Sequence, residues 1–189
     1  MDQSSVLSLF RRSGALLEGH FRLSSGLHSS GYLQCALVLQ HPTHAEALGR
    51  ALAAELSGFG ATVVLSPAMG GLIIGHEVGR ALGVRAMFSE RVEGAMALRR
   101  GFSLSAADRV VVIEDVLTTG GSTRDTMAAA RTAGGTVLAA GAIVDRSGGA
   151  PALDVPFRSL LSLVLPTYQP ESCPMCAAGA PVTKPGSRA

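Results

Sequence analysis

The sequence predicts an α/β fold in which a mainly parallel central sheet is flanked by helices. Two observations carry that prediction. Residues 110–113 read V-V-V-I, an apolar run without alternation, as a strand covered on both faces requires. Along the chain such runs alternate with helical patterns through Gly- or Pro-containing turns, the order that right-handed crossovers of a parallel sheet produce.

The elements follow in turn. Apolar residues at helical spacing (Val6, Leu9, Phe10, Leu16, Leu17) predict an amphipathic helix over 5–17. Residues 21–23 and 32–38 read as short strands around the loop 24–31, S-S-G-L-H-S-S-G. Pro42 and Thr43 begin a helix that runs to Leu56 and is ended by Gly58 and Gly60. A strand over 62–66, the turn P-A-M-G-G at 67–71, a helix over 72–82 and a strand over 84–89 come next. Residues 90–101 show no sustained pattern and carry Arg91, Arg99 and Arg100, which predicts an exposed, mobile loop. After the strand beginning at Val110, a helix is predicted over 123–133 and a strand over 136–144, ending at Asp145-Arg146. A turn at 148–151, a last strand over 157–165 and a Pro/Gly-rich tail over 167–189 complete the chain.

Composition narrows the class. At 189 residues the chain fits a single domain over 1–189, able to bury a core without disulfides or structural metal. Hydrophobic content of 47% with 16% charged residues excludes a disordered chain. No apolar stretch approaches the ~18 residues of a membrane span. Asp2 precedes the first helical pattern and no small-residue cleavage site follows it, which reads against a signal peptide and for a cytoplasmic protein. Lys184 is the only lysine, so the net charge of +2 rests on arginine, the residue suited to bidentate grip on phosphate or carboxylate. A charge that small argues against a nucleic-acid partner.

The chemistry concentrates at 110–123, V-V-V-I-E-D-V-L-T-T-G-G-S-T. Sites in parallel sheets lie at the carboxyl ends of strands, where Glu114 and Asp115 fall. The loop Thr118-Thr119-Gly120-Gly121-Ser122 has the makings of a phosphate cradle: glycines let backbone N–H groups converge, hydroxyls add donors, and the next helix presents its positive end. Carboxylates beside a phosphate cradle point to a sugar phosphate. No Gly-Lys pair and no G-x-G-x-x-G after a strand is present, so neither a P-loop nor a dinucleotide fold is indicated.

This segment resembles the PRPP-binding motif of the type I phosphoribosyltransferases, and the stretch G-H-F-R-L-S-S-G-L-H-S at 19–29 resembles the base-covering hood of the orotate phosphoribosyltransferases. The resemblance runs from about Phe10 to Arg146. It implies the single-domain type I phosphoribosyltransferase fold, with a small N-terminal hood mainly over 1–40 and a PRPP-binding core over about 41–166. It implies transfer of the phosphoribosyl group of PRPP to orotate in pyrimidine (UMP) biosynthesis. It further implies a homodimer whose 90–101 loop reaches the neighbouring site, and Mg²⁺ carried by PRPP with no direct protein ligand expected, Asp115 being the sole candidate. The catalytic residues it implies are Glu114, Asp115 and Arg91. PRPP would be held by Val116, Leu117, Thr118, Thr119, Gly120, Gly121 and Ser122, by Met69, Gly70 and Gly71 of the diphosphate loop, and by Arg99. Orotate would meet Ser24, Gly26, His28, Tyr32, Leu33, Thr118 and Arg146. Ser24, Gly70 and Arg91 stand where many members place lysines, which leaves loop arginines an electrostatic role and no acid–base role.

Two rival readings are a phosphoribosyltransferase for a purine or another base, and a non-catalytic PRPP-sensing regulator. A purine enzyme would lack the 24–32 hood, and Tyr168 alone is thin support for its C-terminal aromatic. Cys173-Pro-Met-Cys176 is a single C-x-x-C. With His41 and His44 it supplies the ligand types of a zinc site. These four are distant in sequence, and reduced packing or surface thiols are the expectation. His20, His28 and His76 read as hydrogen-bonded structural histidines, His28 alone being kept as a substrate contact.

Overall fold

The computed structural model describes residues 1–23, 25–149 and 151–184. In chain order the elements are α1 (Gln3–Arg12), β1 (Leu16–Arg22), β2 (His28–Leu33), α2 (Cys35–Leu39), α3 (Pro42–Leu56), β3 (Val63–Pro67), α4 (Gly71–Leu82) and β4 (Arg85–Val92). There follow β5 (Ala95–Leu98), β6 (Arg109–Leu117), α5 (Gly121–Thr132), β7 (Thr136–Asp145), β8 (Phe157–Ser162), β9 (Thr167–Tyr168) and α6 (Pro174–Ala177). No described helix is long and apolar enough to cross a membrane.

The central sheet runs β5-β4-β3-β6-β7-β8, with every pair parallel except β4 with β5. The V-V-V-I strand lies in its middle and is covered on both faces, as its lack of alternation requires. Val111 and Ile113 face a core shared with Leu48 and Leu52 of α3 and Ile74 of α4. Val110 and Val112 face the opposite core with Met127 and Ala130 of α5. The chain leaves β3 toward β4, then returns through β6 on the other side of β3. Strand order therefore reverses between β3 and β6, and the crevice beyond their carboxyl ends is where such sheets bind ligands.

Four expectations change. The first helix ends at Arg12, because Gly14 takes φ +68°, and Leu16 and Leu17 enter β1 instead. The strand expected over 32–38 is the end of β2 followed by the short helix α2. Residues 90–101 are largely a β-hairpin: Val92 pairs with Ala95 across Glu93 (φ 48°) and Gly94 (φ 88°). Two positive-φ central residues make the tight turn whose twist matches its strands, so the expectation that 90–101 lacks strand structure is corrected. The tail is structured as well. Its β9 pairs antiparallel with β2 in a second sheet, β1-β2-β9, and Thr183 forms a bridge with Phe21. The hood is thus built from both ends of the chain.

Candidate active site

At the end of β6 two consecutive residues point to opposite faces. Thr123, buried in the first turn of α5, donates its hydroxyl to Glu114. Burial, with a smaller push from Asp115, raises the Glu114 carboxyl to about 7 against that hydrogen bond. Asp115 faces the diphosphate-loop side, where a Cβ on Gly70 would stand 2.6 Å from its Oδ1. Its carboxyl is also raised by burial, although the Val116 N–H donates to Oδ1 at 2.9 Å. Both acids are therefore costly as bare carboxylates, and a ligand presenting hydroxyl donors or a cation would relieve them.

Two helix N-termini open at this edge. Neither α4 nor α5 has a side-chain cap; apart from the Leu72 N–H, which donates to the Met69 carbonyl at 3.1 Å, their first N–H groups are left for a ligand. Gly120 precedes α5 at φ +75°, a conformation that favours glycine. Thr118 and Thr119 are exposed, while Gly121 and Ser122 are half-buried. Arg124, missed in the sequence, clamps this loop by donating to the carbonyls of Thr119 at 2.8 Å and Ala152 at 3.2 Å. Leu117 presents no side chain to a ligand: it is fully buried, and its carbonyl accepts the Arg146 N–H at 2.8 Å. On the other loop Met69 is 80% exposed and Gly70 is exposed. A Cβ on the buried Gly71 would lie 2.9 Å from the Ile113 carbonyl, so that glycine lets the loop sit against β6.

Past the carboxyl ends of β6 and β7 is a cavity of about 420 Å³, lined by Thr118, Thr119, Arg146, Ser147, Leu165 and Thr167 among others. Of its lining residues, Arg146 and Ser147 have polar atoms, Nε and Oγ, that are buried without a hydrogen-bond partner among the described residues. Burial lowers the Arg146 pKa from its ordinary value. Buried polar atoms are almost always paired, so two orphans side by side mark a place for an oxygen-rich, anionic ligand. A larger cavity, about 520 Å³ between β5 and α5, is lined mainly by alanines and other apolar groups. Its polar lining is Asp125 and Thr132, and it contains none of the orphaned donors, which belong to residues of the smaller cavity.

The hood residues divide. Ser24 lies outside the described residues. Gly26 is half-buried at φ +87°, in the tight turn before β2. Tyr32 is half-buried, its ring 6.0 Å from that of Phe21. Leu33 turns into the core and cannot pack on a base. His28 is corrected too: its side chain is 6% exposed, with Nδ1 2.8 Å from His20 Nε2, beneath the tail rather than in the cavity. Cys173 and Cys176 lie beside those two histidines, not beside His41 and His44, whose rings face each other at 5.0 Å. Arg91 is held by Asp125 at 3.0 Å and Arg100 by Glu90 at 2.8 Å, while Arg99 is exposed. Leu165 and Thr167 were missed because they reach the cavity only through the pairing of β9 with β2. Ser147, next to Arg146, had a signal in its position.

No protein-family model matches the chain. It is 55% identical over 188 residues to the orotate phosphoribosyltransferase of Pelotomaculum thermopropionicum, covering 100% of this chain and 99% of that one. It is 55% identical over 190 residues to that of Heliobacterium modesticaldum, covering 100% of both. Among solved structures it resembles Mycobacterium tuberculosis orotate phosphoribosyltransferase in complex with Fe(III) dicitrate, at TM-score 0.75 and 26% identity over 86% of this chain and 97% of that one. The same enzyme in complex with PRPP gives TM-score 0.68 and 25% identity over the same shares. The α/β fold with its mainly parallel sheet is that of the type I phosphoribosyltransferases. Full-length identity at this level settles the membership: the chain belongs to the orotate phosphoribosyltransferase family.

Proposed function

We propose that the protein transfers the phosphoribosyl group of PRPP to orotate, giving orotidine 5′-monophosphate and diphosphate. The observation that carries this reading is the cavity lined by Arg146 and Ser147, which have unpaired donors, and by Thr118, which follows the Glu114–Asp115 pair at the end of β6. A planar guanidinium matches a fixed carboxylate bidentately, and orotate has one. Thr118 stands between the two halves and serves both.

In the proposed mechanism the N–H groups at the start of α5, with Thr119 and Ser122, hold the 5′-phosphate. Those at the start of α4, with the backbone of Met69 and Gly70, hold the diphosphate. Glu114 and Asp115 accept from the ribose hydroxyls and favour the positive charge that grows on the ring as the bond from C1 to the diphosphate oxygen breaks. The ring nitrogen of orotate, already close to anionic, forms the new bond to C1, so no strong protein base is required. Two half-buried carboxylates held above their usual range are a hard oxygen donor set that suits a magnesium ion. When bound with PRPP, Mg²⁺ supplies positive charge to the leaving group, and Asp115 is the residue to meet its hydration shell. Arg99 and Arg91 assist the leaving diphosphate electrostatically from the hairpin, across to the neighbouring copy of a homodimer. Arg91 must first release Asp125.

Incubation of the purified protein with PRPP, Mg²⁺ and each of orotate, uracil, adenine, hypoxanthine and xanthine tests the reading. Consumption of PRPP with orotate alone is expected. Turnover with a purine and none with orotate would overturn it.

A further inference from the structure

We propose that His20, His28, Cys173 and Cys176 form a closed zinc site that fastens the C-terminal segment to the hood. The four come from three separated stretches: His20 from β1, His28 from β2, and both cysteines from the turn at the start of α6. Their ligand atoms all lie within 4.8 Å of one another. His20, His28 and Cys173 are 6%, 6% and 2% exposed. Cys176 is exposed and closes the group from the solvent side. Two imidazoles and a thiol withdrawn together from water beside a second thiol, with little hydrogen bonding beyond their own contacts, form an unusual core cluster but an ordinary metal site.

The distances suit a tetrahedron. With zinc–sulfur bonds of about 2.3 Å and zinc–nitrogen bonds of about 2.0–2.1 Å, nitrogen–sulfur edges come to about 3.6 Å. Here Cys173 Sγ and Cys176 Sγ lie 3.6 and 3.7 Å from His20 Nε2, and Cys176 Sγ lies 3.3 Å from His28 Nδ1. The two nitrogens are 2.8 Å apart, so binding opens the imidazoles by about half an ångström to the tetrahedral edge. His20 is also oriented from behind. Its Nδ1 lies 2.9 Å from the Ala180 carbonyl, to which it donates, and that leaves the Nε2 lone pair turned to the sulfurs. A ligand imidazole held by a backbone carbonyl through its other nitrogen is the usual outer support of a zinc site.

Four protein ligands leave no open position, so the role is structural. The need for it is visible in the hood. Its third strand has two residues and α6 has four, too little apolar burial to hold the tail by itself. Two deprotonated cysteines also balance the metal's charge within a buried site.

The test uses the full-length chain without an affinity histidine tag, purified without chelator. About one zinc per chain is expected by elemental analysis. After chelator stripping, cobalt(II) should restore a tetrahedral thiolate-type absorption spectrum. Cys173→Ser, Cys176→Ser, His20→Asn and His28→Asn should each abolish that spectrum, while the double variant His41→Asn/His44→Asn keeps it. Because a ligand variant can fold poorly, the native chain alone also decides. A native chain that carries no zinc and gives no tetrahedral cobalt spectrum overturns the proposal, as does loss of the metal in the His41/His44 variant.

Discussion

The PRPP half of the site and the hood are built in opposite ways. In the PRPP half, one continuous stretch supplies a buried strand, two acids, a loop and a helix, all fixed to the centre of a six-stranded sheet. The hood is a three-stranded sheet whose strands come from opposite ends of the chain. Only Leu165 and Thr167 of the chain leading into its third strand line the cavity beside Arg146. The first arrangement holds charge in fixed positions while a reaction develops. In the proposed reading the second covers the base, and with less apolar surface holding it, it opens more cheaply. The hydrophobic sheet that fixes Glu114 and Asp115 also makes both of them costly to ionise.

The strongest way to break this contrast is at Asp115. Asp115→Asn should cut turnover by about 100- to 1,000-fold, the usual loss when a preorganised electrostatic partner is removed, with the circular-dichroism spectrum and thermal midpoint nearly unchanged. Near-normal turnover in that variant would refute the role given to the acid pair.

Glu114 gives the next largest effect, through pH. Its folded carboxyl titrates at about 7 against an ordinary 4.5, so between those values the native state binds more protons than the unfolded state. Stability should therefore fall as pH rises from about 4.5 to about 7 and level off above, this group contributing at most about 3 kcal/mol. Glu114→Gln should flatten that slope in urea titrations across the window. An unchanged slope would show that burial does not raise the carboxyl.

Gly70→Ala places a methyl against the Asp115 carboxylate, where the gap is 2.6 Å. Overpacking of this kind costs about 1–3 kcal/mol, and here it should appear as an increase of about 10-fold in the PRPP KM with little change for orotate. Equal KM values in both proteins would separate the diphosphate loop from the acid.

The same contrast decides what could be read from the chain. The 110–123 segment was legible because local pattern and tertiary role coincide: an apolar run, two acids and a Gly-rich turn carry the same meaning in sequence as in space. The hood was only half legible. Two residues, Thr167 and Tyr168, pair with Ser29 and His28 from the far end of the chain, and no periodicity announces a two-residue strand. His28 sits in a polar, loop-like stretch and is buried only because the tail covers it. For the same reason the C-x-x-C pair could not be matched to its histidines, and His41 and His44 were the wrong partners. The 93–94 turn was hidden by the arginines around it, which read as a charged loop although Glu93 and Gly94 take the left-handed conformations of a tight hairpin.

The central claim is that the two halves serve different substrates, and Arg146→Ala tests it most directly. Steady-state kinetics with each substrate varied in turn should show the orotate KM raised by about 10- to 100-fold, the value of a buried charged hydrogen bond, and the PRPP KM changed by less than about 2-fold. An equal rise in both KM values would contradict the assignment of that cavity to the base.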